Sequence, residues 1–358
     1  MPDFSLARKK TRSVQLGSVK IGGFAPISVQ SMTNTKTEDI EATVTQIHAL
    51  ERVFCDVVRV AVPSMEAIAA INKIVPRISI PLVADIHFDY KLAIGAALAG
   101  ASGLRINPGN IGSRSKIKEI VACAKDKKIP IRIGINAGSL EKDLLLKHAS
   151  ATAQAMAESA LRQLELLTEL DFEDIKISLK ASDVSRTIDA YRLLSEKTDF
   201  PLHVGITEAG SLLPGLVKSS VGIGSLLMDG IGDTIRFSLT GDPIPEVQAG
   251  FALLRSLGLR RIGPEIISCP TCGRCDIDLS SIVSEVEKSI QYFREPFHIA
   301  IMGCAVNGPG EAKEADIGIA GGKEFGALFR KGEIIRKVPQ EKLVEELLNE
   351  IKKLQLST

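Results

Sequence analysis

Four of the six cysteines in this chain fall in the C-terminal quarter: Cys269, Cys272 and Cys275 in Cys269-Pro270-Thr271-Cys272-Gly273-Arg274-Cys275, and Cys304 just before Asn307-Gly308-Pro309-Gly310-Glu311. Cysteines three residues apart on a tight Pro/Gly turn can aim their sulfurs at one point, and a distant cysteine can close a site for a soft metal. The run C-x2-C-x2-C opens a ferredoxin-type pattern that holds a 4Fe-4S cluster. Zinc is the competing reading, although zinc ribbons need a second C-x2-C knuckle and Cys304 stands alone. Spacing by itself selects Cys275 as the fourth ligand.

A second group of reactive side chains is spread over the first 260 residues. Arg59, Asp85, His87, Arg105, Asn107, Arg132, Asn136, Lys180, His203, Thr207, Glu208, Arg236 and Ser238 each stand at or near the end of a short β-branched run. An arginine inside a strand is expensive to bury without a negative partner, and Asp85, Glu208 and Asp229 are the obvious carboxylates. Cations from several strands that converge on one mouth call for a phosphate or diphosphate ligand. Glu208 suits proton relay there, whereas His87 and His203 also read as ordinary structural histidines. Cys55 and Cys123, in apolar helical contexts, read as small packing residues. The glycine pairs of Val221-Gly222-Ile223-Gly224 and Gly230-Ile231-Gly232-Asp233 fit either phosphate binding or tight packing.

The elements that must position these groups follow a regular rhythm. Strand-like runs recur at 27–32, 57–62, 81–86, 103–107, 129–136, 174–179, 201–206 and 234–239, with helical periodicity between them, as in 38–53, 116–127, 151–170 and 184–194. Eight strand-helix units in about 250 residues predict a (β/α)8 TIM barrel, whose strand C-termini carry the active site. The alternative, an open doubly wound sheet, lacks the Gly-rich first turn that a dinucleotide requires. Residues 13–23 read as a small hairpin or lid. Basic residues and Gly263-Pro264 mark a boundary near residue 260, so residues 1–260 form the barrel and 261–358 a small α+β domain with the clustered cysteines.

Composition narrows the function. The 358 residues are 45% hydrophobic and 24% charged, and 44 basic against 43 acidic residues leave a net charge of +1. No overall field draws in nucleic acid or a membrane surface, and 4% aromatics without tryptophan provide no base-stacking platform. Neither a signal peptide nor a membrane span is legible. Sparse cysteines that serve as thiolate ligands point to the reducing cytoplasm.

Five motifs in order carry a family resemblance: Leu104-Arg105-Ile106-Asn107-Pro108-Gly109-Asn110, Gly205-Ile206-Thr207-Glu208-Ala209-Gly210, Gly230-Ile231-Gly232-Asp233-Thr234-Ile235-Arg236, Cys269-Pro270-Thr271-Cys272, and Gly303-Cys304-Ala305-Val306-Asn307-Gly308-Pro309-Gly310-Glu311. Over nearly the whole chain the sequence resembles the 4-hydroxy-3-methylbut-2-enyl diphosphate synthase family. The resemblance implies a TIM barrel followed by an iron-sulfur domain like those of sulfite and nitrite reductases. It also implies the two-electron reductive opening of 2-C-methyl-D-erythritol 2,4-cyclodiphosphate, with ferredoxin or flavodoxin as electron donor. Cys269, Cys272, Cys304 and Glu311 would hold the 4Fe-4S cluster. Arg59, Arg105, Arg132, Asn136, Lys180, Arg236 and Ser238 would hold substrate, with Asp85, His87 and Glu208 close to the chemistry. A homodimer is implied, the small domain of one subunit covering the barrel of the other. Three thiolates and one exchangeable carboxylate would leave an iron open to substrate, whereas four thiolates would make an electron carrier. A barrel lyase or transferase acting on a phosphorylated substrate, with zinc in a structural site, is the competing enzyme class.

Overall fold

The computed structural model describes residues 7–304 and 313–356. It separates into two compact units, Met1–Arg260 and Arg261–Thr358. Each is built around its own sheet.

The first unit opens with an antiparallel hairpin, β1 (Val14–Leu16) and β2 (Val19–Ile21), turned at Gly17 with φ +54°. Eight parallel strands follow: β3 (Ser28–Met32), β4 (Val57–Ala61), β5 (Leu82–Asp85), β6 (Gly103–Ile106), β7 (Ile131–Asn136), β8 (Ile175–Lys180), β9 (His203–Val204) and β10 (Thr234–Ile235). Their order in the sheet is β8-β7-β6-β5-β4-β3-β10-β9, and an Ile177–Leu202 bridge joins the two ends, so the sheet closes on itself. This is the TIM barrel that the eight-unit rhythm predicts.

Its helices are α1 (Ile40–Arg52), α2 (Met65–Ile74), α3 (Tyr90–Leu98), α4 (Pro108–Ile111), α5 (Arg114–Lys127), α6 (Lys142–Lys147), α7 (Ala153–Thr168), α8 (Val184–Lys197), α9 (Leu212–Met228) and α10 (Ile244–Ser256). Short polar side chains set where several of them begin. Asp39, Ser64, Thr152 and Asp183 each accept a hydrogen bond from a first-turn backbone N–H. The longer helices turn apolar stripes inward, such as Val44, Ile47 and Leu50 of α1 or Ile117, Ile120 and Val121 of α5. Those stripes pack on strand residues that include Val58, Val60, Ile133, Ile135 and Ile177, all nearly free of solvent. Such a buried branched side chain contributes about 1.5–3 kcal/mol relative to its exposed state.

The hairpin is a plug rather than a lid. Leu16 and Ile21 pack with Val57 and Val83 at the strand starts, at the end of the barrel opposite the strand C-termini. The unit ends where Arg260 grips Asp56 through both terminal nitrogens, at 2.5 and 2.9 Å.

The second unit is a five-stranded mixed sheet. β11 (Glu265–Ser268), β12 (His298–Met302) and β13 (Ile317–Ala320) run parallel, and β13, β14 (Phe325–Arg330) and β15 (Glu333–Pro339) antiparallel. The last two strands form the hairpin expected at Lys331-Gly332. Helix α11 (Leu279–Ile290) and the C-terminal helix, Leu343–Leu356, bury Val286, Ile290, Leu343, Leu347 and Ile351 against Ile299, Ile301, Ile317, Ile319 and Leu328.

Candidate active site

Parallel strands in a barrel bring their C-terminal ends to one rim, and register decides which residues meet there. Asp85 pairs with Arg105 across β5 and β6, Arg105 with Arg132 across β6 and β7, and Asn136 with Lys180 across β7 and β8. A cavity of about 580 Å³ opens on this rim and is lined by Arg59, Asp85, His87, Arg105, Asn136, Lys180 and Glu208, among others. A small enclosed pocket of about 10 Å³ adjoins it through Lys180 and is lined also by Tyr191, His203, Arg236 and Ser238. All but one of the ten barrel residues expected at the site therefore line these two spaces. The tenth, Arg132, is 1% exposed and lies within hydrogen-bond reach of His203.

Asp85 is the hub. Its Oδ1 lies 3.2 Å from Nη1 of Arg105, and its Oδ2 lies 3.6 Å from Nε of Arg59 and from Nε2 of His87. Burial alone would raise the carboxyl's pKa. Arg59, His87, Arg105 and Arg132 outweigh that effect and hold it well below the ordinary carboxylate range. Arg105 also reaches the Gly134 carbonyl at 3.4 Å, and Gly134 makes room for it: a Cβ there would stand 2.4 Å from Nε of Arg105. Arg59 donates to the thioether of Met32 from both Nε (3.1 Å) and Nη2 (2.9 Å). Sulfur is a weak acceptor, which leaves much of this guanidinium's hydrogen-bonding capacity unused.

Below this layer the charge imbalance grows. Nη1 of Arg132 stands 3.1 Å from Nδ1 of His203, an arrangement that requires the neutral imidazole with Nδ1 accepting. Burial, then Arg132, Lys176 and Lys180, hold the His203 pKa well below its usual value and keep the ring uncharged. Lys176, the register partner of Arg132, is 2% exposed; burial and Arg132 lower its pKa to about 7. Burial and the surrounding arginines likewise depress Lys180. Nε of Arg105, Nη1 of Arg59, Nε and Nη2 of Arg132, Nε of Arg236 and both amide atoms of Gln30 are buried with no hydrogen-bond partner among the described residues. Unpaired buried donors of one sign cost free energy until an anion fills them.

Glu208 sits on the rim, exposed, in the left-handed region at φ +52°. His87 is 54% exposed on the same side. Asp229, expected among the carboxylates of the mouth, is not there. It caps the C-terminal end of α9 and pairs with Arg192 at 2.8 Å, at the strand-start end of the barrel. The carboxylate that sequence reading missed is Glu246, in the first turn of α10, 3.8 Å from Nε of Arg236. Met32 and Lys176 were missed as well. The loop around Gly230 and Gly232 is packing: a Cβ on Gly230 would meet the Ala7 carbonyl at 2.3 Å, and Asp233 accepts from Thr11 and from the backbone N–H of Leu202. Cys55 is buried as expected, and Cys123 is only partly so.

In the second unit the thiols meet around one glycine. A Cβ on Gly303 would stand 2.5 Å from Sγ of Cys275 and 3.6 Å from Sγ of Cys269, and the Gly303 N–H donates to Cys269 at 3.3 Å. The backbone N–H of Cys275 bonds the Cys272 carbonyl at 2.9 Å, which closes the turn. Cys272 is exposed and Cys304 partly so. No group of three or more His, Cys, Asp or Glu side chains is gathered closely enough to hold a metal ion among the described residues. Glu311, the fourth ligand implied by resemblance, lies outside them. No helix among the described residues is long and apolar enough to cross a membrane.

Solved structures of similar fold include the dihydropteroate synthase of Yersinia pestis, with a TM-score of 0.50 at 11% identity over 69% of this chain and 98% of that one. The 3-dehydroquinate dehydratase of Geobacillus kaustophilus is comparable, at 0.50, 12%, 68% and 97%. These likenesses speak to the fold alone. Two family models match in sequence: the GcpE TIM-barrel domain over residues 11–251 and the GcpE protein C-terminal domain over residues 265–353. The 4-hydroxy-3-methylbut-2-en-1-yl diphosphate synthase (flavodoxin) of Thermodesulfovibrio yellowstonii is 55% identical over 348 residues, 97% of this chain and all of that protein. The enzyme of the same name from Clostridium tetani is 57% identical over 345 residues, 96% of this chain and 99% of that protein. With both units matched in order, and more than half the residues shared with full-length relatives, the chain belongs to the GcpE family.

Proposed function

We propose that this chain catalyses the reductive ring opening and dehydroxylation of 2-C-methyl-D-erythritol 2,4-cyclodiphosphate to (E)-4-hydroxy-3-methylbut-2-enyl diphosphate. Reduced flavodoxin, or ferredoxin in its place, is the electron donor, and the working unit is a cytoplasmic homodimer. The observation that carries this reading is the surplus of buried cations at the barrel mouth. Arg59, Arg105, Arg132, Lys180 and Arg236 face Asp85 and Glu246, with several guanidinium donors unspent. A doubly phosphorylated guest supplies the missing charge, and the family match favours a reductase over a zinc-bearing lyase or transferase.

Each residue has a role in this scheme. Arg59, Arg105, Arg132, Lys180 and Arg236 bind the two phosphates, and Asn136 and Ser238 orient the polyol. Asp85 touches Arg59 and Arg105 and keeps their guanidinium planes facing inward. Loss of a substrate hydroxyl as water needs a proton at that oxygen, and Glu208, on the open rim in the cavity that His87 also lines, delivers it. Closure of the guest against the buried rim excludes bulk water and strengthens every one of these contacts.

The thiol turn fits an iron-sulfur cluster in donor chemistry. Cys269 and Cys275 flank Gly303, whose missing side chain leaves the space between them clear. Cys269, Cys272 and Cys304, with Glu311, would hold a 4Fe-4S cluster. When bound, that cluster supplies the two electrons one at a time.

The test is anaerobic turnover of the cyclodiphosphate with reduced flavodoxin, with product identified by mass spectrometry and iron and sulfide assayed on the same sample. About four irons per chain and formation of the linear diphosphate are expected. An iron-loaded protein that leaves the cyclodiphosphate unchanged would refute the assignment.

A further inference from the structure

Glu246 is 4% exposed, yet it belongs to a helix N-terminus rather than to a strand end. Its two oxygens are committed to different parts of the barrel. Oε2 accepts from the hydroxyl of Ser31 on β3 at 2.8 Å, and Oε1 accepts from the backbone N–H of Leu239, just beyond β10, at 2.9 Å. The same Oε2 stands 3.8 Å from Nε of Arg236. Thus one carboxylate spans β3, the chain after β10 and α10, at the place where the first and last strands of the barrel lie side by side.

Two features separate this from a simple buried ion pair. The Leu239 N–H is the next backbone donor after Ser238, so the bond to Oε1 holds the short segment that carries both Arg236 and Ser238. Nε of Arg236 is otherwise without a hydrogen-bond partner among the described residues, and Glu246 faces that Nε side of the guanidinium. Charge drawn to Nε orients the guanidinium plane and leaves the Nη groups for a ligand.

We infer that Glu246 is a positioning residue for the reaction: through Ser31 and the Leu239 N–H it fixes the segment 236–239, and it aims the Arg236 guanidinium at a phosphate of the substrate. This rests on the functional reading above. It differs in sign from the alternative that Glu246 merely offsets charge. A carboxylate near an anion site repels the anion, so neutralising it would tighten binding if charge were its only role. If it positions Arg236, neutralising it weakens binding, because a glutamine has one acceptor oxygen where the carboxylate uses two, and its NH2 must then face either the Arg236 Nε or the Leu239 N–H.

The experiment measures binding of inorganic diphosphate to the full-length, anaerobically purified, cluster-loaded protein by titration calorimetry. Wild type, Glu246→Gln and Ser31→Ala are compared, alongside steady-state kinetics with the cyclodiphosphate. Glu246→Gln is expected to bind diphosphate roughly tenfold more weakly and to raise KM more than it lowers kcat. Ser31→Ala, which keeps the charge and loses one of its supports, should shift in the same direction by less. Unchanged or tighter binding by Glu246→Gln overturns the inference. Should that variant not fold, Ser31→Ala decides, and wild-type affinity in it is the overturning result. Failure of the wild type itself to bind diphosphate would strike the functional reading first and this inference with it, a result distinguishable because it precedes any substitution.

Discussion

Asp85 and Arg105 are register partners on adjacent barrel strands, and their side chains meet at 3.2 Å in the interior of the protein. Asp85 is also the carboxylate that meets Arg59 at 3.6 Å, so its removal leaves two buried guanidinium groups facing each other. Asp85→Asn is expected to cost about 3–5 kcal/mol of stability, because breaking a buried pair strands the remaining charge. Chemical denaturation measures it.

Acid should unmask the same residue. The Asp85 carboxyl titrates in the folded state well below its unfolded value of about 3.9. Its stabilising contribution is therefore complete above that unfolded value and is lost as pH falls through it toward the folded pKa. Wild type should lose stability relative to Asp85→Asn as pH drops below about 4, so the gap between the two narrows; a gap that stays constant from pH 6 to pH 3 would contradict this.

Lys176 carries the opposite expectation. Burial and Arg132 lower its pKa to about 7 in the folded protein, against an unfolded value of about 10.4. Between these values the unfolded chain binds the extra proton, so stability rises with pH across that window. Lys176→Met should abolish that rise and stabilise the protein at pH 7 by an amount on the order of a few kcal/mol. Thermal melts of both proteins at pH 7, 8.5 and 10 test it, and parallel curves would refute it.

At the thiol turn, Gly303→Ala places a methyl group 2.5 Å from Sγ of Cys275 and 3.6 Å from Sγ of Cys269. Real Cβ atoms do not approach a sulfur as closely as 2.5 Å, so the Cys275 thiol must move and the turn that carries Cys269 and Cys272 moves with it. The variant is expected to keep its secondary structure by circular dichroism and to lose most of its iron. Cys275→Ser distinguishes the two ligand sets: iron content near wild type agrees with Glu311 as fourth ligand, and loss equal to that of Cys272→Ser assigns the place to Cys275.

Glu208→Gln should reduce kcat by roughly 10² to 10⁴, the usual contribution of a general acid, with iron content and diphosphate affinity unchanged. Full turnover in this variant would remove Glu208 from the proton path.

The barrel was legible because parallel strands buried on both faces read as short β-branched runs, and eight of them alternate with helical periodicity. The rim residues were legible for a related reason: a charge inside such a run has no ordinary explanation. What escaped were groups whose position depends on register and closure. Glu246 stands on a helix, and only the fold of the loop from β10 into α10 turns it back onto Arg236, while the meeting of β3 with β10 adds Ser31. Met32 ends a strand but carries no charge, so its sulfur facing Arg59 left no mark. Asp229 precedes a strand and was credited to the wrong end of the barrel, because proximity in sequence does not say which rim a loop serves. The hairpin at 13–23 was legible as a hairpin, while its placement as a plug depends on Leu16 and Ile21 finding Val57 and Val83.

Where β8 and β9 meet, the barrel wall is joined partly by a side chain. The phenol of Tyr191 accepts from the Leu179 N–H at 2.9 Å and donates to the His203 carbonyl at 2.5 Å, a span that neighbouring strands ordinarily cross by direct peptide pairing. A backbone rung has a length that no mutation can alter, but this one is encoded at a single codon. Exchange of that one aromatic residue therefore removes the rung, which ties the spacing between His203 and Lys180 to a single hydroxyl group.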